Sequence, residues 1–323
     1  MTSLAQVTAL VDAHVNRDHS RFRAVTLQIA AHLASRSERG AEQLRKLVER
    51  QQANSFVPLP SASGLLAAPP ELSALDDMVL DPRVRSQLDR VVLEHTRKFD
   101  LLSGGLEPAR KLLFTGAPGV GKTMAAGAIS RALHLPMFRV ELHGVISSHL
   151  GETAAKLAKV FDHVRTMPAV YLFDEFDALG ADRSGLSDGS SAGAEMRRVV
   201  NSLLQFIEDD RSDSLIIAAT NHEHALDAAL FRRFDEVIAF DRPGKAEVVE
   251  LLRRSLPQVD VDQLDAEAIC AAVTCNKLGH ADVRAALARV RKDHLLADAP
   301  IDAKTIGAAA ARRARSNDPE AVS

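Results

Sequence analysis

Apolar residues recur every three or four positions at the start of the chain: Leu4, Val7, Val11 and Val15, then Phe22, Val25, Ile29 and Leu33, then Leu44, Leu47 and Val48. This spacing predicts three amphipathic helices, punctuated by Asp18 and Gly40 and ending near Gln52. The pattern dissolves over 53–75, where Pro58, Pro60, Pro69 and Pro70 stand among Ser61, Ser63 and Gly64. Such composition predicts a semi-extended linker, within which Phe56, Val57, Leu65 and Leu66 are apolar enough to dock on a neighbouring surface. Asp81-Pro82 then opens a helix to about Leu102, with Val84, Leu88, Val91 and Val92 on one face.

From Ala109 to Phe240 the period changes. Short apolar runs at Lys111–Thr115, Met137–Leu142, Ala169–Phe173, Ser214–Ala219 and Val237–Phe240 read as strands, and helical stretches separate the first four. This alternation predicts an α/β fold: a parallel sheet with helices on both faces. Past Pro243 the strand signal stops. Glu247–Leu256, Ala266–Val273, His280–His294 and Ala303–Ser316 are helical in pattern, so an all-α domain closes the chain. The expected organisation is a helical N-terminal domain over 1–52, a linker over 53–75, an α/β domain over 76–242 and an α-helical domain over 243–316. No internal repeat is evident.

Composition narrows the function classes. The 323 residues are 46% hydrophobic and 26% charged, with a formal net charge of −3. That balance gives no global attraction to nucleic acid or anionic membrane, and no apolar run approaches the ~18 residues of a membrane span. The first residues carry Asp12 and no basic cluster, unlike a secretory leader. A cytoplasmic location is expected, with neither membrane nor nucleic acid as partner. The two cysteines, Cys270 and Cys275, lie in an Ala-rich helical stretch, where small core residues are expected in preference to a metal site or a disulfide.

Residues 116–123 read Gly-Ala-Pro-Gly-Val-Gly-Lys-Thr. The pattern Gly-x-x-x-x-Gly-Lys-[Ser/Thr] between a strand and a helix is a phosphate-binding loop. Gly116, Gly119 and Gly121 let backbone N–H groups curl around phosphates, aided by Ala117, Pro118, Val120 and Met124 of the same turn. Lys122 can reach the β- and γ-phosphates, and the Thr123 hydroxyl can ligate Mg²⁺. The following helix adds partial positive charge at its N-terminus. The strand Ala169–Phe173 ends in Asp174-Glu175, where Asp174 would hold Mg²⁺ through its water shell and Glu175 would polarise an attacking water. The strand Ser214–Ala219 leads to Asn221, within reach of the γ-phosphate or that water. Arg232 and Arg233 stand between apolar neighbours. They suit the spread charge of a phosphoryl-transfer transition state; salt bridges to surface carboxylates are the alternative.

Together GAPGVGKT (116–123), LFDEFDALG (172–180), AEMRRVVNSLLQFIED (194–209), IIAATNHEHALDAAL (216–230) and FRRFDEVIAF (231–240) resemble an AAA-type ATPase module of the AAA+ superfamily, over about 75–310. GHADVRAALARV (279–290) is similar, less closely, to the Ser-Gly-Ala-Asp helix of that family's lid. The resemblance implies ATP and Mg²⁺ as cofactors, nucleotide at the subunit boundaries of a hexameric homo-oligomer, Asn221 as a sensor, and Arg232 and Arg233 as fingers acting on the neighbouring subunit. Two positions depart from the family pattern. His149, before Leu150-Gly-Glu-Thr153, stands where threading members carry an aromatic residue. His280 stands where a glycine usually lies near the base. Arg284 is either a second sensor or a solvated helix arginine. The runs RFRAVTLQIAAHLA (21–34) and AEQLRKLVERQ (41–51) resemble the N-terminal region of bacterial AAA ATPases encoded beside a subtilisin-like serine protease in anti-phage systems.

Three functions follow. The first is ATP-driven remodelling or unfolding of a protein client by a ring, with loops at His149-Leu150 and Leu186–Gly193 pulling and the N-terminal helices recruiting a client or a partner such as that protease. The second is an ATP-dependent switch that activates a partner without threading. The third is a helicase loader, disfavoured by the charge balance.

Overall fold

The computed structural model describes residues 64–67, 72–142, 150–176, 191–222 and 231–317, together with positions 11, 25, 26 and 29. The chain divides into two units, 1–58 and 59–323. The helices expected over 1–52 lie outside the described residues except for Val11, Val25, Thr26 and Ile29, which are helical. All that follows concerns the second unit.

Six strands form one sheet: β1 (Leu66–Ala67), β2 (Lys111–Gly116), β3 (Met137–Val140), β4 (Val170–Phe173), β5 (Leu215–Thr220) and β6 (Glu236–Phe240). Their order is β1-β3-β4-β5-β2-β6. Every pairing is parallel except β1 with β3, where Leu66 faces Val140. The second half of the linker is therefore not only a tether. Leu65 and Leu66 are buried, and Glu141 N–H donates to Leu65 O at 3.0 Å, so this stretch closes one edge of the sheet.

Alternation along the strands sorts side chains onto two faces. Leu113, Tyr171, Phe173, Ile216 and Ala218 point to one face, against α4 (Leu150–Thr166) and α5 (Ser191–Asp209). Leu112, Phe114, Val170, Leu172, Ile217 and Ala219 point to the other, against α1 (Pro82–Thr96) and α3 (Lys122–Leu133). Both faces are covered, which is why the strands read as continuous apolar runs. The helix expected over 81–102 is two helices, α1 and α2 (Lys98–Ser103), because Arg97 leaves helical dihedrals at φ −102°, ψ 27°. Thr96 Oγ1 bonds back to Val92 O at 2.7 Å just before the break, a local competitor for the helix ladder.

The C-terminal helices α6 (Lys245–Ser255), α7 (Ala266–Cys275), α8 (His280–Ala297) and α9 (Ala303–Asn317) have their own core of Val248, Leu252, Ile269, Val283, Leu287 and Ile306. Asp282 ties this domain together: it caps α8 through Gly279 N–H and accepts from Arg313 and Asn317 of α9. The cysteines are not core residues as expected. Cys270 is half-buried and Cys275 exposed, because α7 turns only Ile269 and Val273 fully inward. Both are free thiols.

Candidate functional site

Strands β4, β5 and β2 are neighbours in the sheet, and all three run toward the same edge. The loops leaving their carboxyl ends carry the phosphate loop, Asp174-Glu175 and Asn221. In sequence β3 follows β2, yet in space β4 and β5 lie between them, so the chain reverses direction across the sheet beside β2 and opens a crevice there. Residues separated by as many as a hundred positions converge in it. Lys122 Nζ donates to Asn221 Oδ1 at 2.9 Å, and also to Gly116 O and Ala117 O. Thr123 Oγ1 donates to Asp174 Oδ2 at 3.0 Å.

The loop's shape depends on its glycines. Gly116, Gly119 and Gly121 all have positive φ, and a Cβ on Gly116 would stand 2.1 Å from Phe240 O. No other residue fits there. Gly121 is the N-cap of α3, so Lys122 and Thr123 occupy its first turn, at the positive end of the helix. Asp174 is held in place, with Oδ1 accepting from Glu175 N–H at 3.0 Å. Glu175 itself sits at φ 54°, a left-handed conformation that a non-glycine residue adopts at a cost and that clusters at functional sites.

A cleft of about 460 Å³ runs past these groups. Lys122, Thr123, Asp174, Glu175 and Asn221 line one part of it, and Arg284 and His280 of α8 line it from the helical domain. Two other segments contribute with no sequence signal. Asp77, Met78 and Val79, just past the linker, form one wall, and Leu251, Arg254 and Ser255 of α6 form another. The spacing of the α6 residues puts them on one helix face, but only the tertiary structure turns that face to the cleft. Arg254 Nη1 fastens the two walls by donating to Asp76 O at 2.9 Å.

The helical domain also touches the phosphate loop directly. Ala281 N–H donates to Gly119 O at 2.9 Å, and Gly279 lies so close to the loop that a Cβ would come within 2.8 Å of Pro118 O. Thr123 and Asp174 fit a Mg²⁺ ion: two hard oxygens in contact, with room for water and phosphate oxygens as the remaining ligands. Among the described residues no group of three or more His, Cys, Asp or Glu side chains could hold a metal without such help.

Arg232 and Arg233 are not among the described residues that line the cleft. Arg232 is exposed, while Arg233 Nη1 pairs with Glu208 Oε2 of α5 at 2.8 Å, the salt bridge anticipated as the alternative. Arg284, by contrast, faces the cleft and not bulk solvent alone. His149 and the segment 177–190 lie outside the described residues, and Leu150 is described only as the start of α4. No helix among the described residues is long and apolar enough to cross a membrane.

Comparison with known proteins agrees with this geometry. Residues 112–242 match the family described as "ATPase family associated with various cellular activities (AAA)". The chain is 40% identical over 261 residues to the uncharacterized AAA family ATPase y4kL of Sinorhizobium fredii, covering 77% of each chain. It is 32% identical over 200 residues to the ribosome biogenesis ATPase RIX7 of Saccharomyces cerevisiae, where the match spans 59% of this chain and 23% of the relative. In fold it is similar to the crystal structure of the FIGL-1 AAA domain, with TM-score 0.57 and 21% identity over 77% of this chain and 86% of that one.

Proposed function

The chain belongs to the AAA family of ATPases, and from that premise we propose that it is the motor of a homo-oligomeric ring that spends ATP on remodelling a protein client. The convergence of Lys122, Thr123, Asp174, Glu175 and Asn221 in one cleft carries this reading. In it the phosphate loop from Gly116 to Met124 cradles the nucleotide. Thr123 and Asp174 hold Mg²⁺, which when bound neutralises charge on the phosphates. Glu175 takes a proton from the attacking water, and Asn221 with Lys122 orients the γ-phosphate end.

The placement of Arg232 and Arg233 outside the cleft favours action in trans. Two arginines that do not line their own cleft can act on a transition state only in a neighbour's, and a head-to-tail contact that closes gives a ring. Exposed apolar side chains support such contacts: Phe99 and Leu296 are each 85% exposed, one on the α/β domain and one on the helical domain. Remodelling as the output is supported by relatives such as RIX7, named for ribosome biogenesis. In this reading the N-terminal helices recruit the client in the cytoplasm. A subtilisin-like protease as partner, in defence against phage, is the narrower form of this proposal and rests on the 21–51 resemblance.

The test is the solution mass of Glu175→Gln, by light scattering, with and without Mg-ATP. The reading expects ATP-dependent growth to about six subunits. A particle that stays monomeric or dimeric with saturating ATP would refute the ring.

A further inference from the structure

Arg232 and Arg233 belong to the short turn that leads straight into β6. Arginine side chains are long and rich in rotamers, so where they reach depends on how firmly the backbone bearing them is held. The two residues that follow the pair fix that backbone. Phe234 is buried, its ring edge-on to Phe176 with centroids 6.4 Å apart and planes at 83°. Asp235 turns its carboxylate onto β2: the single oxygen Oδ2 accepts from Arg110 N–H at 2.8 Å and from Lys111 N–H at 2.9 Å. Asp235 N–H donates back to Lys111 O at 2.8 Å. One residue, directly beyond the arginines, is thus clamped to the amino end of β2.

The sheet does not depend on this clamp. The ladder between β2 and β6 begins one residue later, with Leu112 opposite Glu236, and continues to Gly116 opposite Phe240. Nor does the ion pair of Arg233 with Glu208 replace it. Those side chains are 34% and 59% exposed, and a pair so open to water holds little. β2 also separates the clamp from this chain's own cleft. Its carboxyl end opens into the phosphate loop, and its six residues, at about 3.3 Å per step, put roughly 16 Å between the two ends.

Taking Arg232 and Arg233 as fingers on a neighbour's nucleotide, a reading on which this step rests, we propose that Asp235 is their positioning residue. Its carboxylate works as a double acceptor and not as a charge, and sets the direction in which the arginines leave the chain. A catalytic group displaced by about 1 Å loses on the order of a hundredfold in rate.

The test is single-turnover hydrolysis of Mg-ATP by the full chain, with calorimetric titration of ADP beside it. Asp235→Ala should slow turnover by roughly tenfold to a hundredfold while ADP affinity stays within about twofold, because the cleft lies at the other end of β2. Asp235→Asn, whose one amide oxygen can take both N–H groups, should stay within about threefold of the parent. If both variants fall alike, charge and not geometry matters, and the proposal is overturned. A double-mutant cycle makes the sharper comparison. In the Arg232→Ala, Arg233→Ala background, adding Asp235→Ala should change turnover by less than about twofold, since nothing is left to position. A further loss of about tenfold there would show that Asp235 serves the fold instead. Lost ADP binding in Asp235→Ala would show the same, and unchanged turnover in that variant would also overturn the proposal. If the arginine pair itself can be removed without slowing turnover, the finger reading falls and the proposal with it.

Discussion

Gly279 should act as the hinge-pin between the helical domain and the phosphate loop. Its φ of −83° is open to any residue, so Gly279→Ala carries no backbone penalty and the effect is purely steric. The new Cβ would stand 2.8 Å from Pro118 O, 2.9 Å from Gly119 O and 3.0 Å from Gly119 C, all backbone atoms that cannot swing away as a side chain does. Relief requires α8 to back off by roughly half an ångström, a form of overpacking that typically costs about 1–3 kcal/mol. The same movement stretches the Ala281 N–H to Gly119 O bond, now 2.9 Å, worth about 1 kcal/mol. If half of this loss, about 1–2 kcal/mol, falls on the nucleotide-bound form, ADP affinity drops about 5- to 30-fold, at ~1.4 kcal/mol per decade. Calorimetric titration with ADP measures it directly. An affinity within about twofold of the parent, with an unchanged melting temperature, would refute the tight-seam argument, since an overpacked contact of this kind has no silent outcome.

Other positions give contrasting expectations. Gly307, inside α9, has only Ala272 Cβ at 3.7 Å from an added methyl and ordinary helical φ, so Gly307→Ala should raise stability by about 0.5–1 kcal/mol in urea titration. The double variant Arg232→Ala, Arg233→Ala should lose about 10³-fold or more in ATP turnover while binding ADP as before, because neither residue lines the cleft; a parallel loss of ADP affinity would contradict that placement. Burial lowers the proton affinity of His95, His163 and His280 in the folded state. The unfolded chain therefore binds more protons below about pH 6.5, and stability, complete above that pH, falls as the pH drops toward the lowered folded values. Hydrogen bonds hold Glu94 and Asp282 below the usual carboxylate range, against the cost of their burial, so a second loss follows as the pH falls below about 4.5. A urea midpoint that stays flat from about pH 7.5 to 5 would show the histidines contribute nothing.

Local pattern determined a large part of this protein. Five strands appear within a residue or two of their apolar runs because a sheet covered on both faces demands continuous hydrophobicity, and β4 shows it in Val170–Phe173. The phosphate loop and Asp174-Glu175 were legible because their chemistry depends on residue type at short spacing. The edge strand at Leu66–Ala67 was not legible, since two residues have no period and gain their hydrogen bonds only from β3. Nor could the sequence show that Asp77–Val79 and one face of α6 wall the cleft, that Arg233 rests on Glu208, or that Gly279 touches Pro118. These are contacts between segments tens to more than a hundred residues apart. Periodicity records which side of an element is buried, whereas the identity of what covers it is decided by the packing of the whole chain.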